Sequence, residues 1–172
     1  MIIVEDVLKE IFSQIPAIKD SNSVSFLPKF NWGSMNTLNL YLSQLKKGTK
    51  YPLIWLTETV DESDIYAHKL EKPIKLILAK QSIHTTNTNP IIWETEFKDV
   101  LNPLLKSVIT AIEKSGVTSI KGGSFKSRRL ANYSEGTESL TIDNWNVIVF
   151  EATVIFREKA DGTAQCINII KF

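Results

Sequence analysis

Apolar residues at Val4, Val7, Leu8, Ile11, Phe12 and Ile15 recur at helical period, and they predict a helix over 3–15 that Pro16 ends. Glu5 and Asp6 fall in its first turn, where they complement the helix dipole. The stretch 21–32 begins polar and then carries Val24, Phe26 and Pro28, which reads as a short edge strand or an extended loop. Ser34 is placed to cap a second helix over 35–47, with Leu38, Tyr41, Leu42 and Leu45 on one face and Gly48 as its stop. The continuous apolar run Tyr51-Pro52-Leu53-Ile54-Trp55-Leu56 predicts a strand covered on both faces. A second strand over 72–80 sets Ile74, Leu76 and Leu78 on one face and Ile77 and Ala79 on the other. The polar stretch 58–71 between them reads as a connection, and 81–89 as an exposed loop.

The broadest apolar stripe predicts a long helix over 94–115, through Phe97, Val100, Leu101, Leu104, Leu105, Val108, Ile109 and Ile112. Pro103 inside it is expected to bend the helix or to mark its effective start a turn later. Short β segments are expected at 117–120 and 139–142, separated by a Gly-Gly and basic segment. The alternation of 147–157, the turn signal Asp161-Gly162 and the return of 163–172 predict a terminal hairpin. Deleting the return strand is then expected to expose the edge of 147–157 and to cause aggregation. The fold class is α+β: a mixed, mainly antiparallel sheet packed against the long helix and the N-terminal helix, with a C-terminal β-hairpin. Neither a repeat nor a linker interrupts the pattern, so one domain spanning 1–172 is expected.

Composition narrows the function. The 172 residues are 43% hydrophobic and 23% charged, ordinary for a globular chain, and 20 basic against 19 acidic residues leave a net charge of +1. A dedicated nucleic-acid binder carries a basic excess, so direct DNA contact is disfavoured. The single cysteine, Cys166, cannot form an intrachain disulfide, and a reducing compartment is the simplest reading. No apolar run approaches the ~20 residues of a membrane span, and the start of the chain does not resemble a signal peptide, so a soluble protein is expected.

Candidate chemistry is sparse. His68 and His84 stand sixteen residues apart in polar connections, without partners at metal-ligand spacing. Cys166 reads as a small buried hydrophobe. Lys121-Gly122-Gly123-Ser124 does not match a phosphate-binding loop and reads as a strand-to-loop turn. The carboxylates Glu58, Asp61, Glu62, Asp64 and Glu71 read as solvated, although their spacing is compatible with a glycosidase pair. Neither a catalytic residue, a cofactor nor a metal is expected. The candidate contact residues are the basic cluster Lys121, Lys126, Arg128 and Arg129, with Tyr133 following, and Trp145, read as partly exposed after Asp143-Asn144. Trp55 reads as core.

The order of elements, a helix, two central strands, a long helix and a C-terminal β-hairpin, carries a resemblance, and two stretches carry most of the rest. Tyr51-Pro52-Leu53-Ile54-Trp55-Leu56 resembles the aromatic-Pro-apolar strand that opens the sheet of the tail-terminator, tail-completion and neck proteins of tailed bacteriophages. Phe97-Lys98-Asp99-Val100-Leu101-Asn102-Pro103-Leu104 is similar to the head of their long helix, in forms from phages of Bacteroidetes-type hosts. Asp143-Asn144-Trp145 before a strand also fits. The resemblance covers 3–157; a second helix at 35–47 and a strand after Asp161-Gly162 depart from the simplest family pattern. It implies a non-enzymatic subunit of a head–tail connector or tail-terminator ring, assembled in the host cytoplasm and residing in the virion. Its partners would be copies of itself and adjacent portal, neck or tail proteins, reached through the loop 81–89 and the segment 121–129. The alternative is a monomeric ligand-binding module with an apolar pocket between sheet and helix.

Overall fold

A computed structural model describes residues 3–45, 50–57, 63–66, 69–82, 93–133, 145–157 and 167–172. The elements run α1 (Val4–Ser13), β1 (Ile18–Lys19), β2 (Ser25–Phe26), β3 (Lys29–Gly33), α2 (Met35–Gln44), β4 (Leu53–Thr57), β5 (Ser63–Tyr66) and β6 (Lys69–Gln81). A π-helical segment (Trp93–Leu101) then leads into α3 (Asn102–Lys114), followed by β7 (Thr118–Tyr133) and β8 (Trp145–Arg157). The main sheet has the order β3-β4-β6-β8-β7. Only β3 and β4 run parallel, joined by the crossover helix α2; the other neighbours are antiparallel. β5 pairs with the first residues of β6 on the edge that β4 occupies further along. The fold is therefore the expected α+β class, with a long helix, an N-terminal helix and C-terminal antiparallel strands.

Local chemistry accounts for the helix ends. Ser34 Oγ accepts the backbone N–H of Thr37 at 3.3 Å and caps α2. Pro103 stands in the first turn of α3, where its missing N–H is not needed, and the wider π turn leads into it. Gly116, just past α3, takes a φ of +81°, the left-handed conformation that ends helices.

Two apolar layers sandwich the sheet. On one face α1, the π segment and α3 bury Leu8, Ile11, Leu104, Val108 and Ile112 against Ile54, Leu76, Leu78, Ile148, Phe150, Val154 and Phe156. On the other, α2 brings Leu38 and Leu42 onto Leu53, Trp55, Ile77, Val147 and Val149. The alternation expected for β6 is the one observed, and every β4 residue from Leu53 to Leu56 is buried. A fully buried Leu, Ile or Phe contributes about 1.5–3 kcal/mol over exposure, whereas an exposed ion pair contributes about 0–1 kcal/mol. The two layers hold the fold.

Three sequence expectations need correction. The terminal hairpin does not form as read: β8 has β6 on one edge and β7 on the other, and residues 167–172 are not strand. The C-terminal antiparallel pair is β7 with β8. The basic segment is not a loop but the middle of the sixteen-residue β7. The connection 58–71 contains β5 and the start of β6, because β8 supplies partners for all thirteen residues of β6. The readings that rest on Gly48, Glu58, Asp61, Glu62, His68, 83–89, 139–142, Asp143-Asn144, Asp161-Gly162 and Cys166 lie outside the described residues.

Candidate functional site

β7 forms one end of the sheet, and it carries Lys121, Lys126, Arg128 and Arg129 without a single acidic residue between Thr118 and Tyr133. Its register with β8 breaks between Ile120↔Val154 and Phe125↔Ala152, so Lys121-Gly122-Gly123-Ser124 bulges out opposite Thr153 alone. Gly122 and Gly123 make that bulge with φ of +63° and +64°. The pair expected to turn strand into loop instead kinks a continuing strand. Beyond it, Phe125 to Leu130 pairs without interruption.

Strand period divides the cations. Lys126 and Arg128 lie opposite Glu151 and Val149, on the face that α2 covers further along; Arg129 lies opposite Ile148, on the face of α1 and α3. Arg128 Nη2 donates to Glu151 Oε1 at 3.3 Å, with the Arg side chain 63% exposed. Lys121 reaches over β8 to Glu71. Arg129 donates through Nε and Nη2 to Asn102 Oδ1 at 3.0 and 2.9 Å, and its guanidinium lies over the Trp93 ring. It ties the edge strand to the junction between the π segment and α3. Lys126 is exposed and has no ion-pair partner among the described residues.

A shallow groove of about 440 Å³ crosses β8 beside the bulge, between Pro73 and Lys75 of β6 and Ser124, Phe125 and Lys126 of β7, with Glu151 and Thr153 along it. Phe125 is 40% exposed here and packs against Phe150 with ring centroids 5.4 Å apart.

Trp145 is not part of this surface. It is fully buried beneath α2, and its Nε1–H donates to the Tyr51 hydroxyl. The preceding Asp and Asn suggested solvent, but the first residue of β8 already lies under the second apolar layer. Trp55 is buried as expected, its Nε1–H donating to Gly33 O at 2.9 Å.

Sequence reasoning missed one polar pair. Glu96 is 1% exposed; its Oε2 accepts from the buried Asn146 side chain, while Oε1 has no partner among the described residues. A glutamate in an N-terminal turn reads as solvated, yet Glu96 stands four residues before the buried Val100, on the inward side of the segment. Two residues on, Lys98 is exposed and its ammonium is held above the ordinary lysine value, first by its hydrogen bond to Glu94 and then by that carboxylate's charge.

Among the described residues no group of three or more His, Cys, Asp or Glu side chains is placed to hold a metal ion. No helix there is long and apolar enough to cross a membrane. No protein-family model matches the chain, and no curated protein is similar to it.

Proposed function

We propose that this chain is a structural subunit of a phage head–tail connector or tail-terminator ring, acting by self-association and by docking on neighbouring virion proteins. The observation that carries this reading is the open architecture of the sheet. It ends in β3 on one side and β7 on the other, and among the described residues neither has a further strand beyond it. Two different open edges leave one for a copy of the chain in a closed ring and the other for a neighbouring virion protein. The resemblance at 51–56 and 97–104 points the same way. The alternative pocket between sheet and helices gains no support from the helix-side layer, which Leu104, Val108, Ile148 and Phe150 fill.

The chain would act in the virion, after assembly in the host cytoplasm. Purified alone it is expected to be a monomer or weak oligomer that enters a closed ring with its partners. Light-scattering mass of the chain, followed by mass spectrometry of cross-linked virions, tests this. Absence of the chain from assembled virions overturns the reading.

A further inference from the structure

We infer that the outer edge of β7, from Phe125 to Leu130, takes up an extended acidic segment of a neighbouring protein as an added strand. This deepens the assembly reading and rests on it for the existence of a neighbour. Three observations carry it. Beyond the glycine bulge the strand regains six residues of regular pairing, long enough to align a partner strand. Among the described residues no strand occupies that outer edge. Its cations project to both faces, Lys126 and Arg128 to one and Arg129 to the other.

That two-faced arrangement selects the occupant. A strand also presents its side chains alternately to two faces, so acidic residues along it would meet cations above and below. A nucleic-acid backbone needs phosphate contacts along one continuous surface. Here Glu71 and Glu151 sit among the cations of the exposed face, and Arg129 lies on the opposite face of the sheet. A polypeptide of negative charge fits; a phosphate track does not. The bulge has a complementary role, since Gly122-Gly123 bends the first part of the edge away from regular pairing and confines docking to the segment after it.

The test is fluorescence anisotropy of the whole chain with a labelled ten-residue peptide of alternating Glu and Val. Saturable binding is expected. It should weaken at least tenfold when alternate peptide amides are N-methylated, when Lys replaces Glu in the peptide, and in the variant carrying Lys126→Glu with Arg128→Glu. N-methylation leaves the protein untouched, so its effect cannot come from misfolding. Three results overturn the inference: no binding, binding indifferent to N-methylation, or tighter and steeply salt-dependent binding of a single-stranded oligonucleotide. Self-association that competes the peptide away makes a second copy the occupant and also overturns it. Ring formation is read separately by mass, so either proposal can fail alone.

Discussion

Arg128 and Arg129 are adjacent in sequence and serve opposite faces of the sheet: one reaches Glu151 across the strand, the other clasps Asn102 beneath it. Their replacement is therefore expected to have unequal consequences. Arg128→Glu disturbs an exposed ion pair and should cost less than about 1 kcal/mol. Arg129→Glu removes two charge-assisted hydrogen bonds and the contact with Trp93, and should cost about 1–3 kcal/mol. Thermal unfolding of the two variants checks this, and equal shifts would show that the link to Asn102 does not bear on stability.

The buried pair of Glu96 and Asn146 gives a second expectation. Asn146→Ala removes the partner of Glu96 Oε2 while the carboxylate stays enclosed. A loss of about 1–3 kcal/mol follows from leaving a buried acceptor unsatisfied, which for a chain of this size lowers Tm by roughly 2–12 °C. Glu96→Gln in the same background should recover part of it, because a neutral amide is less costly to bury than a charge. An unchanged Tm in Asn146→Ala would place Glu96 in contact with water.

At the end of α3, Gly116 combines a φ of +81° with close approach to Asn168, whose side-chain amide occupies the space an added Cβ would enter. Gly116→Ala is expected to cost about 1–2 kcal/mol from left-handed strain, plus whatever displaces Asn168. Pairing it with Asn168→Gly separates the two contributions. The double variant should recover only the collision, and full recovery would mean that the backbone carries no strain.

Much of this architecture was legible from periodicity. The alternation of β6 and β8 and the stripe of α3 are strong because each faces a buried layer, so sequence and packing repeat the same signal. Of β7 only the start was legible, as the β segment at 117–120; the rest was not, for the opposite reason: as an exposed edge it has few apolar positions to alternate, and its pairing is imposed by β8. The basic cluster was found by residue type alone, but sequence could not show that strand geometry splits it between two faces. Trp145 misled because its polar neighbours suggested solvent, while its burial depends on α2 and Tyr51, far away in the chain.

The π segment is expected to be the softer half of the long helix. Its wider turns and the missing donor at Pro103 weaken the hydrogen-bond ladder before α3 begins. Hydrogen exchange should be faster at 97–101 than at 105–112. Uniform protection across both would show that the junction is as rigid as α3 itself.

The final expectation reverses the one drawn from sequence about the C-terminus. A return strand over 163–172 would protect the edge of β8, and its loss would cause aggregation. In the structure β8 already has a neighbour on both edges, and the last residues do something else. Asn168 donates its backbone N–H to Ser115 O, Ile170 donates to Gln14 Oε1, and Ile170 itself is buried in the helix-side core. The tail thus ties the C-terminal ends of α1 and α3 together. Removing 167–172 should cost about 1.5–3 kcal/mol, the worth of the buried isoleucine, and lower Tm by several degrees. The truncated chain should stay soluble, with β8 amides exchanging as slowly as before and faster exchange confined to the ends of α1 and α3. Aggregation with newly exchanging β8 amides would return the tail to the sheet.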